Sequence, residues 1–137
     1  MTPILLDTGV VVALLDRSER HHQACVDAIA AIQTALVTCE AVIAESCYLL
    51  RAQPGAADAI LQNVERGTFR IPLPLERLAP AVRTLMKRYS RVPMDFADAC
   101  LVAMADELGT GRILTLDGDF RVYRWRRTRP FDILVDF

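Results

Sequence analysis

Asp7, Glu45, Asp98 and Asp117 are the residues of this chain whose types and positions point to chemistry, with Asp95 and Asp119 close beside them. Asp98 shares a predicted helical face with Leu101, Val102 and Ala105. A carboxylate turned toward a core is tolerated only when protonated, paired or bound to a metal. Glu45 lies mid-helix among apolar neighbours, with Tyr48 and Leu49 where a basic partner at i+3 or i+4 would stand. If these carboxylates converge in a low-dielectric cleft they repel one another, and a hard divalent cation removes the conflict. Oxygen-only ligands fit Mg2+ or Mn2+, and such an ion can activate a water for attack at phosphorus. The structural alternative is capping, since Asp is favoured at and just inside helix N-termini; it applies to Asp7, Asp95 and Asp98.

The motifs of other chemistries are missing. The chain has no phosphate loop, no G-x-G-x-x-G, no G-x-S-x-G and no Cys/His zinc spacing. His21 and His22 are adjacent and cannot chelate from one helical face. Between Arg121 and Arg129 stand Arg121, Arg124, Arg126, Arg127 and Arg129 with no acidic residue, interleaved with Tyr123 and Trp125. Such a segment can hold a phosphodiester backbone and stack bases. Its bland reading is a packed strand with a charged outer face.

The elements that must position these residues follow from periodicity. Short apolar runs predict strands at Ile4 to Leu6, Ala35 to Val37, Phe69 to Ile71, Arg112 to Leu116 and Phe131 to Val135. Helices are predicted over Val10 to Leu15, Arg20 to Ile32, Glu40 to Arg51 with Thr38 as cap, Ala56 to Arg66, and Glu76 to Tyr89 with Pro80 in the first turn. A last helix begins among Asp95 and Asp98 and stops at Gly109. Strands alternating with helices predict a parallel sheet covered on both faces, a three-layer α/β/α sandwich. In such sheets ligand sites form at the carboxyl ends of the strands, where Asp7, Asp117 and Asp119 fall.

Composition sets the frame. The chain has 137 residues, 53% hydrophobic and 24% charged, which is one globular domain's worth. A net charge of -1 gives no overall basic footprint. Four cysteines without a C-x-x-C pair read as buried, reduced thiols. No apolar run approaches the ~18 residues of a membrane span, so a cytoplasmic location is expected.

Four pieces of the chain carry a family resemblance: ILLDTGVVVALLD at Ile4 to Asp16, TCEAVIAESCYLL around Glu45, MDFADACLVAMADELG at Met94 to Gly109, and ILTLDGDF at Ile113 to Phe120 with its trailing VYR. In this order the chain resembles the PIN-domain ribonucleases, specifically the VapC toxins of bacterial type II toxin-antitoxin pairs. The resemblance implies a single PIN domain over 1–137 with the three-layer α/β fold. It implies an acidic quartet of Asp7, Glu45, Asp98 and Asp117, with Asp7, Asp98 and Asp117 holding metal. Asp95 and Asp119 would support it, Asp119 as helper or substitute for Asp117, and the Thr115 hydroxyl would orient an aspartate or a water. Arg121, Arg124, Arg126 and Arg127 would then bind RNA. Further implications are Mg2+-dependent (or Mn2+-dependent) cleavage of RNA, a homodimer and a small cognate antitoxin. A catalytically silent RNA-binding or protein-interaction module is the alternative, disfavoured by the intact quartet. Phosphoryl-transfer folds of other families fit worse. A receiver domain needs a lysine after a late strand, whereas Lys87 lies on a helix, and a haloacid-dehalogenase-like phosphatase needs D-x-D after the first strand, where Asp7-Thr8-Gly9 stands.

Overall fold

The structure, a computed structural model, describes residues 2–137. Its centre is β1 (Ile4–Leu6), whose three side chains are wholly buried. A strand covered on both faces has no need to alternate polar and apolar residues, which is why this run is continuous. β1 pairs in parallel with β2 (Leu36–Val37) on one side and β4 (Arg112–Leu114) on the other. β3 (Phe69–Arg70) extends the first edge and β7 (Asp132–Ile133) the second, so the order is β3-β2-β1-β4-β7 and every pairing is parallel.

Helices flank this sheet. They are α1 (Thr8–Leu15), α2 (His22–Ala30), α3 (Glu40–Leu49), α4 (Ala56–Glu65), α5 (Leu75–Arg88) and α6 (Phe96–Leu108). α6 is buried at every position from Ala97 to Ala105, so it is covered on all sides along that run. Asp98 is the one charged residue inside that run. α5 is amphipathic and lays Leu78, Val82 and Leu85 toward the core. The mixed α/β architecture with a central parallel sheet is the one expected from the sequence.

Several local expectations are corrected. β4 ends at Leu114, so Thr115 to Asp117 leave the sheet, and Gly118–Arg121 forms a 3-10 turn. α1 starts at Thr8 because the Asp7 side chain accepts its N–H. Thr38 is not the cap of α3; Cys39 holds that position, and the Thr38 hydroxyl instead donates to the Leu6 carbonyl at 2.7 Å. Pro80 lies beyond the first turn of α5, because the helix begins directly after Pro74. The arginine-rich segment forms an antiparallel hairpin of β5 (Arg124–Trp125) and β6 (Arg129–Pro130) in place of a single strand. Its turn holds Arg126 and Arg127 at φ 44 and 69. Gly111 makes this seat possible: a Cβ there would stand 2.0 Å from Trp125 Nε1. All four cysteines are free, with Cys25, Cys39 and Cys100 buried and Cys47 half-buried.

Candidate metal centre

Asp7, Asp98 and Asp117 each bring one carboxylate oxygen to within 4.8 Å of the others. They arrive from three elements. Asp7 ends β1 and caps α1; Asp98 lies in the first turn of α6; Asp117 precedes the 3-10 turn after β4. Parallel pairing of β1 with β4 sets the ends of these strands side by side, which carries Asp7 and Asp117 to the same edge. Asp95 caps α6 by accepting the Asp98 N–H at 2.8 Å, and so fixes the backbone from which Asp98 projects.

Each carboxylate is held by internal donors. Asp7 accepts the Thr8 N–H on Oδ1 at 2.8 Å and the Thr115 hydroxyl on Oδ2 at 2.7 Å. Asp117 accepts the Asp119 N–H on Oδ1 at 2.9 Å. Asp98 accepts the Tyr123 hydroxyl on Oδ2 at 2.9 Å. The three sit in a pocket of about 360 Å³ whose other walls are Thr8, Gly9, Glu45, Leu49, Asp95, Leu116 and Gly118.

The electrostatics are unbalanced. Asp98 is pushed up to about 8, first by burial and then by Asp95, against the lowering effect of Tyr123. Asp7 rises to about 6, chiefly through burial, with Thr115 and Thr8 opposing. No lysine, arginine or histidine is among the pocket's walls in the described residues. The Thr8 hydroxyl, also a pocket wall, is buried with no hydrogen-bond partner. Converging carboxylates and an orphaned hydroxyl fit a hard divalent ion with its retained waters.

The other predicted residues divide. Glu45 is exposed and stands on the pocket rim, outside the three-carboxylate cluster. Asp119 is also exposed, is absent from the pocket walls, and reaches the cluster through its backbone N–H on Asp117. Thr115 touches both Asp7, by its hydroxyl, and Asp117, whose N–H it accepts at 3.0 Å. Arg121 lies against the pocket wall, 3.8 Å from where a Cβ of Gly118 would stand.

The remaining arginines point elsewhere. Arg124 folds its guanidinium onto the carbonyls of Arg121, Val122 and Tyr123. Arg126 donates its backbone N–H to Asp106 Oδ1 and its Nε to the Asp106 carbonyl, near the far end of α6. With Arg127 and Arg88 it lines a separate pocket beside α5. Base stacking on Tyr123 and Trp125 is overturned, because both rings are buried; Trp125 donates to the Pro130 carbonyl and has the guanidiniums of Arg126 and Arg129 packed over its ring. The exposed aromatic rings near the centre are Tyr48 and Phe96, one turn from Glu45 and next to Asp95. Tyr123 is the site residue that sequence reasoning placed wrongly: a tyrosine between arginines signals an outward-facing ring, and nothing in its spacing from Asp98 points to a contact.

The chain belongs to the PIN-domain family, whose profile matches residues 4–126. Within that family it is of the VapC type. It is 32% identical over 117 residues to Ribonuclease VapC26 of Mycobacterium tuberculosis, a match covering 83% of this chain and 86% of that protein. Its fold is similar to the crystal structure of Mycobacterium tuberculosis VapC20, a sarcin-ricin loop cleaving toxin. The two agree with a TM-score of 0.81 over 93% of this chain and 99% of that one, at 23% identity. The expected VapC-type PIN assignment and three-layer fold are therefore borne out.

Proposed function

We propose that this chain is a toxin endoribonuclease that hydrolyses RNA phosphodiester bonds by water activated at a divalent metal, Mg2+ or in its place Mn2+. The observation that carries this reading is the approach of Asp7, Asp98 and Asp117 oxygens within 4.8 Å of one another, in a pocket with no basic side chain among its described walls. Three anions so close are stable together only when protonated or neutralised by an ion.

Asp7, Asp98 and Asp117 would hold the metal. When bound, it supplies charge neutralisation at phosphate and lowers the pKa of a coordinated water. The protein does the rest. Thr115 and Tyr123 keep the carboxylates of Asp7 and Asp98 from turning. Glu45 would take a proton from the attacking water, a role supported by its place among the pocket walls and outside the three-carboxylate cluster. Arg121, beside the Gly118 wall, offsets the acidic field that would otherwise repel the RNA backbone.

The same reading assigns an RNA substrate, a small cognate antitoxin, a homodimeric state and a cytoplasmic location. Among the described residues no helix is long and apolar enough to cross a membrane. Exposed apolar residues on α3 and α4, Tyr48, Leu49 and Leu61, support a protein partner on that face.

The deciding experiment is cleavage of a mixed RNA pool by the purified chain with Mg2+, with EDTA, and as an Asp7→Ala, Asp98→Ala double variant. Metal-dependent cutting lost in the variant is the expected result. Folded protein that cuts neither tRNA nor mRNA under any condition overturns the enzyme in favour of a silent binding module.

A further inference from the structure

We infer that Tyr123 is a positioning residue for metal binding: its hydroxyl, donating to Asp98 Oδ2 at 2.9 Å, fixes that carboxylate so that Oδ1 is presented to the centre. The inference rests on reading the acidic cluster as a metal centre.

Tyr123 is fully buried, in a place where phenylalanine would fill the same volume without a polar atom to satisfy. Its hydroxyl spends that requirement on a carboxylate of the centre and on no backbone carbonyl. The ring is clamped edge-on by Tyr89 at 5.2 Å and by Phe120 at 5.1 Å. The clamp is itself tied down, since Tyr89 accepts the Arg124 N–H at 3.0 Å on its hydroxyl. A donor so rigidly placed holds one oxygen of Asp98 in one direction.

That matters because the terminal torsion of an aspartate is broad and soft. Asp7 has internal donors on both oxygens, and Asp117 has one on Oδ1. Tyr123 provides the single side-chain donor to Asp98, which leaves Oδ1 as the oxygen without one among the described residues. The link between the 3-10 turn and β5, which carries Tyr123, thereby supports the centre without supplying a ligand of its own. Partners of this kind set the direction and basicity of the ligands they touch, and removing one weakens metal binding about 10- to 100-fold.

The test is binding of Mn2+ alone, without RNA, to wild type, Tyr123→Phe and Tyr89→Phe, read by the loss of the free-ion spin-resonance signal. Tyr123→Phe is expected to bind Mn2+ about 10-fold or more weakly, with Tyr89→Phe close to wild type. RNA cleavage by Tyr123→Phe, lost at limiting Mn2+, should return at excess Mn2+. Unchanged affinity in a folded Tyr123→Phe overturns the inference, as does an equal loss in both variants, which would mark general loosening of the ring cluster. Should Tyr123→Phe fail to fold, saturating Mg2+ added to the wild type should still perturb the ultraviolet absorption of a buried tyrosine. That signal should persist in Tyr48→Phe and Tyr89→Phe, and its absence overturns the inference. Wild type that binds Mn2+ yet cuts no RNA sinks only the ribonuclease reading, whereas wild type that binds no Mn2+ sinks this inference as well.

Discussion

Thr115 donates its hydroxyl to Asp7 across 108 residues of sequence, at 2.7 Å and out of contact with solvent. Because the same oxygen accepts the Asp117 N–H at 3.0 Å, one side chain sets the spacing between two carboxylates of the centre. Hydrogen bonds to charged groups contribute about 1.5–3 kcal/mol, and here the bond opposes the burial that pushes Asp7 up. Thr115→Val should therefore raise the Asp7 pKa further and lower the melting temperature in EDTA more at pH 8 than at pH 5. Thr115→Ser should behave like wild type. Equal losses at both pH values would assign the residue to packing alone.

The raised pKa values of Asp7 and Asp98 predict the pH dependence of the metal-free protein. Both start from an ordinary value of 3.8 and rise to about 6 and about 8. Between those limits the folded state keeps protons that the unfolded chain has released, so stability falls as pH rises from about 4 to 8. Asp16, held low by Ser18 on the surface, acts in the opposite sense but only in more acid solution. The melting temperature in EDTA should drop by several degrees between pH 5 and pH 8, and Mg2+ should recover it at pH 8. Asp98→Asn should melt higher than wild type in EDTA at pH 8 and lose the response to Mg2+. A metal response that survives in this variant would remove Asp98 from the centre.

Gly111 predicts a structural limit on the hairpin. Its missing side chain admits Trp125, whose Nε1 would lie 2.0 Å from any Cβ. Gly111→Ala must push the indole out of its seat and break its bond to the Pro130 carbonyl. Overpacking of this kind costs about 1–3 kcal/mol. As Trp125 is the single tryptophan, its fluorescence should shift to the red while the melting temperature falls. Unchanged emission would mean that the hairpin moves as a unit.

The frame of the fold was legible because its signals are local and strong. Ile4-Leu5-Leu6 followed by Asp7 reads as a buried strand end, and the run from Ala97 to Ala105 reads as a buried helix carrying one misplaced carboxylate. The hairpin was not legible. Its strands are two residues each, and its turn uses Arg126 and Arg127 at positive φ where Asn or Gly is the usual sign. Asp106 stabilises that turn from the far end of α6, 20 residues away, a tertiary contact with no trace in local pattern. The burial of Tyr123 was hidden for the same reason. Alternating arginines and aromatics suggest an outer face for the rings, yet the arginines satisfy themselves on nearby carbonyls and ring faces while the aromatics turn inward.

Those arginines separate into groups that a salt titration can tell apart. Arg121 stands at the Gly118 wall of the centre with its guanidinium over the Phe137 ring at 4.5 Å, and it forms no salt bridge among the described residues. Arg124 is spent on three backbone carbonyls. Arg126 is anchored to Asp106 and packed by Trp125. A residue that meets an RNA phosphate releases a counterion, so its loss lowers the slope of log K against log salt by roughly 0.7 for single-stranded RNA. Arg121→Ala should weaken RNA binding several-fold and lower that slope, with the melting temperature little changed. Arg124→Ala should do the reverse, lowering the melting temperature and leaving the slope intact, because its removal strands carbonyls rather than phosphates. Arg127→Ala, at the tip of the hairpin beside Arg88, decides how far the RNA extends. Asp98 and Asp106 are eight positions apart on α6, about 12 Å at the helical rise, so a reduced slope in Arg127→Ala would carry the bound strand well beyond the centre. An unchanged slope in Arg121→Ala would leave the acidic pocket without a basic neighbour for its substrate, and the phosphate contacts would then have to come from another face or a second copy of the chain.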